Sequence, residues 1–258
     1  GDNTSSMGPI FGDYDNDGWQ DLFVSDMRYH RLFRNPGREH PYFLDTTVET
    51  GMAQMSGQYV AWGNGFFDFD NDGWKDIFIV NGGLHWMVPM EDSLHRNIGN
   101  GVFTDVSRQV GAYFETKNIG RGACFGDYDN DGYLDGFIVN LGTKGLLLHN
   151  NPPPPGARNH WLKLKLVGTK SNRDGFGSRI EAVAGDLRQA IEAVSHSGYL
   201  SQCDPRPHLG LGQHAVVDKL TITWPSGIVQ TLENVKVDQI LTVTEPGGPV
   251  PAAAGGGR

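Results

Sequence analysis

Asp13-Tyr-Asp15-Asn-Asp17-Gly18-Trp-Gln-Asp21 is an acidic nine-residue stretch that the chain repeats at Asp68–Asp76 and at Asp127–Asp135. Each copy carries aspartate at positions 1, 3, 5 and 9 and glycine at position 6. Carboxylates at this density repel one another, and Ca²⁺ relieves the repulsion because it accepts about six to eight oxygen ligands in flexible geometry. Glycine supplies the positive-φ turn that folds such a loop back on an ion. The sequence therefore predicts three calcium loops.

The residues around the loops indicate strands rather than helices. An EF-hand needs a bidentate glutamate at position 12, where this chain has Val24, Ile79 and Ile138. Short runs of apolar, β-branched and aromatic residues precede and follow each loop, which predicts two strands joined by a metal-filled hairpin. The alternative is a bare Asp/Asn/Gly turn without an ion. Three copies with the same four carboxylates argue against that alternative.

Length and charge narrow the class of protein. The chain has 258 residues, enough for two domains, and a net charge of −9. Twelve of its 30 acidic residues are the loop carboxylates, so three Ca²⁺ ions would bring the charge to −3. The acidity therefore indicates metal binding and argues against nucleic acid, which requires a basic face.

The sequence also suggests where the protein works. It contains no run of about eighteen apolar residues, so we expect no membrane span, and no secretory leader opens it. Loops without a closing glutamate are expected to bind calcium weakly, at roughly millimolar concentrations. Calcium reaches that level outside cells, so we expect an extracellular or cell-surface location.

Two cysteines, Cys124 and Cys203, lie in different halves of the chain without any metal-binding or haem-attachment spacing. A disulfide between them is one possibility. We favour two thiols that behave as small apolar residues.

The acidic loop belongs to a longer repeat. Its first aspartate recurs after 55 and then 59 residues, a period typical of propeller blades. A Leu-x-x-Asn motif follows each loop, ending at Asn35, Asn97 and Asn150. A Phe-x-Asp strand follows in the first two units, at Phe43 and Phe103, and is missing from the third. Each unit thus offers up to four short strands, as one blade does.

These loops and strands resemble FG-GAP/VCBS repeats, the calcium-bearing blades of integrin-type propellers and many bacterial surface proteins. The resemblance implies carboxylate ligands at positions 1, 3, 5 and 9 and a backbone carbonyl ligand at position 7. The expected ligands of three Ca²⁺ ions are Asp13, Asp15, Asp17, Trp19 and Asp21, then Asp68, Asp70, Asp72, Trp74 and Asp76, then Asp127, Asp129, Asp131, Tyr133 and Asp135.

The second half has a different pattern. Four consecutive prolines at 152–155 predict a stiff linker over residues 151–158. Residues 159–246 then alternate apolar and polar side chains between turns, which predicts a small antiparallel β-sandwich, with residues 187–194 pairing with residues 179–184 as a hairpin. The last twelve residues, 247–258, lack core-forming side chains and are expected to be flexible. The predicted fold is all-β: an incomplete propeller-like array of three blades over residues 1–150, followed by the sandwich.

Five blocks of this half resemble the ASPIC/UnbV domain, which follows FG-GAP repeats in the cartilage-acidic-protein family and its bacterial relatives. The blocks are Asn159–Leu162, Ser171–Arg179, Gly198–Gln202, His208–Gly212 and Trp224–Gly227.

Two classes of function remain open. The first is an extracellular calcium-stabilised scaffold that mediates adhesion or self-assembly by binding proteins, glycans or copies of itself. Three blades are expected to leave a sheet edge unpaired at each end of the array, so we expect either a fragment of a longer propeller or a chain that assembles with its own copies. An insertion in the second unit, with His85, Trp86, Met87 and Met90, is either a binding patch or the cover of its own blade. The second class is a secreted enzyme with a site between the two halves, built from Ser197, Ser201, His196 and His208. Neither serine has a nucleophile elbow around it, so we favour binding over catalysis.

Overall fold

The computed structural model is an all-β chain and describes residues 5–38, 40–55, 57, 59–84, 87–99, 101–194 and 198–247. Among these residues, helical structure is limited to three segments of one turn each: α1 (Ser107–Val110) and 3-10 turns at Met52–Met55 and Ala112–Glu115. None of the described helices has the length and apolarity needed to cross a membrane.

The first half forms three small sheets, one for each acidic loop. The first blade contains β1 (Gly8–Gly12), β2 (Asp21–Ser25), β3 (Arg31–Arg34) and β4 (Leu44–Asp45). The second contains β5 (Ala61–Phe67), β6 (Asp76–Asn81), β8 (Ser93–Asn97) and β9 (Phe103–Asp105), with β7 (Met90–Glu91) in its insertion. The third contains β11 (Gly120–Gly126), β12 (Asp135–Asn140) and β13 (Leu146–Leu148), preceded by β10 (Lys117–Asn118), which pairs with β7. The third sheet has three described strands, as the missing Phe-x-Asp motif predicts.

Each acidic loop joins the first two strands of its blade, which confirms the predicted hairpin; that an ion fills the loop stays a prediction. The pairing runs directly into the loop, with Gly12 opposite Asp21, Phe67 opposite Asp76 and Gly126 opposite Asp135. The β-branched and aromatic runs on either side are therefore the paired strands themselves.

Apolar side chains between neighbouring blades form two cores. One includes Ile10, Phe23, Leu32 and Ile77 and lies between blades one and two. The other includes Phe67, Phe78, Phe125 and Ile138 and lies between blades two and three. The blades therefore pack face against face, which is the arrangement of a propeller.

The second half is a sandwich of two sheets. Its strands are β14 (Trp161–Val167), β15 (Arg179–Ala184), β16 (Leu187–Glu192), β17 (His208–Gly210), β18 (Val216–Thr223), β19 (Val229–Lys236) and β20 (Gln239–Thr244). One sheet has the order β17-β14-β20 and the other β16-β15-β18-β19, around a core that includes Leu164, Ile180, Ile222 and Trp224. The predicted hairpin of β15 with β16 is confirmed.

One pairing in the sandwich departs from the antiparallel expectation. Strands β14 and β20 run parallel, with Leu162 opposite Gln239 and Val167 opposite Thr244. These strands are the first and last of the domain, so a long connection joins them, as parallel pairing requires. Alternation in sequence identifies the buried face of a strand and carries no information about the direction of its partner.

Residues 198–206 of the second half, called the inner segment below, run along the first strands of the blades. The Tyr199 ring lies 5.2 Å from the Trp62 ring of β5, and the Asp204 N–H donates to the Phe125 carbonyl of β11 at 3.0 Å. Cys203 packs into the core between blades two and three, and its Sγ accepts the Phe125 N–H at 3.1 Å. Both cysteines are thiols, in line with the prediction.

Candidate metal centres

The three acidic loops share one set of backbone hydrogen bonds. In the first loop, the Asp13 carboxylate accepts the N–H groups of Asp17 and Gly18 at 3.1 and 2.9 Å. Corresponding bonds reach Asp68 from Asp72 and Gly73, and Asp127 from Asp131 and Gly132. The aspartate at position 1 therefore holds the turn together in every copy.

The aspartate at position 9 fastens the loop to its own blade. The Asp21 carboxylate accepts the N–H of Tyr14 at 3.0 Å and the N–H of Asn35 at 2.8 Å. Asp76 makes the same bonds with Phe69 and Asn97, and Asp135 with Tyr128 and Asn150. The backbone N–H of the asparagine in each Leu-x-x-Asn motif thus closes the loop from the third strand of the blade.

Two loop positions adopt left-handed backbone. The predicted glycines at position 6 have φ between +93° and +95°. The asparagines at position 4, Asn16, Asn71 and Asn130, have φ between +56° and +61°, which the sequence analysis did not anticipate. Asparagine tolerates this region better than most residues, so the Asp-x-Asp-Asn-Asp-Gly order itself contained the signal.

Each loop gathers carboxylate oxygens within 4.8 Å of one another. The sets are Asp13, Asp15 and Asp17, then Asp68, Asp70 and Asp76, then Asp127, Asp129 and Asp131, while Asp129 also groups with Asp135 and His149. Within the described residues these sets leave out Asp21 and Asp72. The structure thus brings together three of the four predicted carboxylates in each loop, and an oxygen-rich set of this size suits Ca²⁺.

The predicted carbonyl ligands at position 7 belong to residues that the loops hold firmly. The N–H groups of Trp19, Trp74 and Tyr133 donate to the carboxylates at position 5, with distances of 2.9, 3.0 and 2.9 Å. Their role as metal ligands stays a prediction.

Burial makes the ionised state of these carboxyl groups costly. It raises the pKa of Asp13 to about 7 and that of Asp21 to about 8, with neighbouring carboxylates adding to the rise. In the second loop, burial raises the pKa of Asp68 to about 8 and that of Asp70 to about 6. A nearby cation favours the charged form and reverses such shifts. The loops therefore have the electrostatic character of cation sites.

A basic side chain already lies against each loop. Arg34 places Nε 2.6 Å from Asp15 and an Nη 2.9 Å from Asp17, and Arg96 lies 2.7 Å from Asp70. In the third blade, His149 occupies the same motif position, with Nδ1 3.0 Å from Asp135. All three precede the asparagine of Leu-x-x-Asn, a recurrence that could have identified them from the sequence.

Asparagine side chains link successive loops. Asn16 donates to the Gly73 carbonyl at 3.0 Å, and Asn71 donates to the Gly132 carbonyl at 3.0 Å. In the reverse direction, Asn97 and Asn150 donate to the position-2 carbonyls of the preceding loops at 2.8 and 2.7 Å. The loops therefore also join the blades to one another.

The second half binds to the same loops. Arg179 donates to the Gly18 carbonyl of the first loop at 2.7 Å, and Asn159 donates to the Asp70 carbonyl of the second at 2.8 Å. The His208 Nε2 lies 2.7 Å from the side-chain oxygen of Asn71. Arg206 donates to the side-chain oxygen of Asn130 in the third loop at 2.8 Å.

Lys163 makes the most buried of these contacts. Its Nζ lies 2.5 Å from Oδ2 of Asp127, and both side chains are fully buried. Burial lowers the pKa of the lysine, while the pairing with Asp127 raises it. A cation from the second half thus reaches the position-1 carboxylate of the third loop. Nothing in the alternating pattern of β14 distinguished Lys163 from its exposed neighbour Lys165.

The residues considered for catalysis have structural contacts where the structure describes them. His208 is buried against Asn71, and the Ser201 hydroxyl donates to the Tyr199 carbonyl at 2.8 Å. His196 and Ser197 lie outside the described residues. In the insertion of the second unit, Met87 is exposed, and His85 and Trp86 also lie outside the described residues.

Family models match both halves of the chain. The model described as FG-GAP-like repeat matches residues 13–79 and 68–138, and the model described as ASPIC and UnbV matches residues 168–250. The first match covers all three acidic loops. The second covers four of the five sequence blocks that carry the ASPIC/UnbV resemblance.

This chain is similar to cartilage acidic protein 1 of several vertebrates. The Xenopus tropicalis protein is 25% identical over 185 residues, the Mus musculus protein 23% over 186, and the Homo sapiens protein 24% over 186. Each alignment covers 69% of this chain and 27–28% of the relative. The chain thus matches under a third of the length of these relatives. In architecture, it is a protein of propeller-like FG-GAP repeats followed by an ASPIC/UnbV domain.

Proposed function

We propose that this chain is an extracellular calcium-stabilised scaffold that binds other proteins, glycans or copies of itself. The observation that carries the proposal is the threefold recurrence of one loop geometry, with carboxylate oxygens within 4.8 Å and buried acids whose pKa is raised. Ca²⁺ would supply the positive charge that these carboxylates lack. Loops of this kind are expected to fill at extracellular calcium levels.

The ions act structurally in this proposal. The loops connect the first two strands of each blade, connect blade to blade and contact the second half. An ion in a loop would therefore stiffen three kinds of contact at once. A rigid frame of this kind can hold binding residues on surface loops in fixed positions, which is what a binding scaffold requires.

Thermal unfolding in calcium and in a chelator tests the proposal. A ligand that binds the folded state adds about 2.7 kcal/mol per site at a hundredfold excess over its dissociation constant. Calcium is therefore expected to raise the Tm substantially, and magnesium to raise it less. The Asp17→Ala variant should lose part of the calcium effect, while the exposed Asp186→Ala variant should keep all of it. A Tm that is unchanged by exhaustive chelation would refute the structural role of calcium.

A further inference from the structure

The third acidic loop differs from the first two in the basic side chain that lies against it. In the first blade, the Arg34 guanidinium contacts the carboxylates at positions 3 and 5, Asp15 at 2.6 Å and Asp17 at 2.9 Å. Arg96 contacts the same two positions of the second loop, at 2.7 and 2.9 Å. The third blade has His149 at this position. A guanidinium has no lone pair to give to a metal, whereas a neutral imidazole has one, so the third loop gains a nitrogen donor.

The His149 ring directs Nδ1 at the carboxylates of positions 3 and 9. Nδ1 lies 3.0 Å from Oδ1 of Asp135 and 3.9 Å from Oδ2 of Asp129. Two ligand atoms that each lie about 2.1 Å from one Zn²⁺ are roughly 3.0–4.2 Å apart, depending on the angle between the two bonds. Both distances fall in this range, and the ligand atoms of the three side chains all lie within 4.8 Å of one another. The three groups therefore have the spacing of ligands on one ion.

Neighbouring residues hold these groups in place. The Tyr128 ring packs edge-on against His149, with centroids 5.7 Å apart at 67°. Asp135 is buried and accepts the N–H groups of Tyr128 and Asn150 at 3.1 and 2.8 Å. Hydrogen bonds to a ligating carboxylate orient it for the metal. The His149 side chain is 35% exposed, so an ion can enter from solvent and water can complete its coordination.

A second difference lies at position 1 of the third loop. Asp127 is paired with the Lys163 ammonium at 2.5 Å, and both side chains are fully buried. In the first two loops, the arginines pair with positions 3 and 5 instead. The lysine compensates the charge of Asp127, so Asp127 has less negative charge to offer an ion. Asp129 and Asp135, on the His149 side of the loop, are then the carboxylates that attract a cation most strongly.

From these observations we propose that the third loop binds a divalent transition metal ion of the zinc type, with His149 Nδ1 and the carboxylates of Asp129 and Asp135 as ligands. Zinc accepts imidazole nitrogen together with carboxylate oxygen, whereas calcium takes oxygen ligands. The inference rests on the proposed role of the loops as cation sites and assigns a different metal to one of them. Asp129 also belongs to the carboxylate set with Asp127 and Asp131, so zinc and calcium compete at this loop.

Calorimetric titration of the full chain with zinc, in millimolar calcium, tests the proposal. We expect one zinc ion per chain. His149→Gln removes the nitrogen ligand and should raise the Kd for zinc at least about tenfold, because even the partners that orient a ligand contribute about 10–100-fold. His214→Gln is the matched control, since His214 also lies beside an aspartate, Asp186 at 3.3 Å, and is outside the loops. This control should bind zinc as the unmodified chain does.

X-ray absorption at the zinc edge identifies the ligands directly. With one equivalent of zinc, the unmodified chain and His214→Gln should show the multiple scattering of a bound imidazole, and His149→Gln should not. His149→Arg introduces the residue that the first two blades have at this position. It should lose zinc binding while its Tm still rises with calcium. This variant provides the same test if His149→Gln does not fold, and circular dichroism establishes which variants are folded.

Each outcome assigns the failure to one proposal. A chain that binds no zinc in calcium overturns the zinc site. Zinc that binds His149→Gln as tightly as the unmodified chain also overturns it, because that zinc is adventitious at other side chains. In both cases, a Tm that calcium raises leaves the calcium scaffold standing. Zinc binding that His149→Gln weakens, with a Tm that calcium does not change, supports the zinc site and refutes the structural role of calcium alone.

Discussion

Replacing Lys163 with methionine is the most direct test of how the second half is held on the loops. The lysine Nζ is 2.5 Å from the Asp127 carboxylate, and neither side chain is exposed. Methionine keeps much of the length of the aliphatic chain and removes the charge. Asp127 would then keep the N–H groups of Asp131 and Gly132 as hydrogen-bond donors and lose its ionic partner.

The expected cost follows from burial. Removing one partner of a buried ion pair destabilises a protein by about 3–5 kcal/mol, because the other charge stays buried without compensation. For a chain of this size, about 3 kcal/mol corresponds to a Tm lowered by roughly 6–12 °C. Lys165→Met is the matched control, because Lys165 lies two residues away on the same strand and is exposed.

The destabilisation caused by Lys163→Met should depend on whether calcium is present. In the chelated protein, Lys163 is the cation nearest to Asp127, whereas a Ca²⁺ ion in the third loop would supply positive charge to the same carboxylate. The destabilisation by Lys163→Met should therefore be largest in chelator and smaller in calcium. Equivalently, the variant should gain more stability from calcium than the unmodified chain, because linkage is reciprocal.

Urea unfolding of both variants, with calcium and with chelator, measures these differences. If Lys163→Met and Lys165→Met cost the same, the buried pair does not hold the halves together. If Lys163→Met costs the same with and without calcium, the lysine and the ion do not share a carboxylate. Either result would refute the reasoning.

Three further substitutions address other contacts. Arg34→Met should tighten calcium binding at the first loop by up to about fivefold in calorimetric titration, because an exposed ion pair is worth at most about 1 kcal/mol; unchanged or weaker binding contradicts this. Burial lowers the pKa of His30 to about 4. The neutral, buried His30 therefore makes its full contribution to stability above pH 6.5, and up to about 3 kcal/mol of that stability is lost as the pH falls toward about 4. The urea midpoint of the His30→Gln variant should accordingly fall less on acidification than that of the unmodified chain. Burial raises the pKa of Glu245, but hydrogen bonds from three backbone N–H groups outweigh it and hold that pKa well below its ordinary value. Glu245→Gln should therefore lower the free energy of unfolding in urea by about 1.5–3 kcal/mol. Glu233→Gln, at an exposed position, should cause no measurable change.

The loops were predictable because their information is local. Nine consecutive residues contain the carboxylates and the left-handed glycine, and three copies separate the pattern from chance. The strand pairs follow for the same reason, since short apolar runs on either side of a tight loop can pair only with each other. Arg34 was missed although its motif was recognised, because an arginine beside an asparagine on a strand is usually a solvated side chain.

The contacts between the second half and the loops could not be predicted from the sequence, because they join residues that are far apart in the chain. Asn159 and Asp70 are 89 positions apart, and Arg179 and Gly18 are 161 positions apart. Periodicity identified the faces of β14 and β15 and gave no sign that their ends meet acidic loops. The proline linker, a sound signal of a change in fold, gave no sign of this contact either.

The contacts of the second half nevertheless give a physical meaning to the sequence blocks that carry the ASPIC/UnbV resemblance. The first block contributes Asn159, the second ends at Arg179 and the fourth begins at His208, and each of these side chains contacts an acidic loop. The third block opens the inner segment, where Tyr199 packs against Trp62 of a blade. Four of the five blocks therefore contain residues that contact the blades, and the fifth supplies Trp224 to the core of the sandwich itself. The most recognisable residues of the ASPIC/UnbV domain therefore include those that contact the acidic loops, and these loops form the joint between the two halves of this chain.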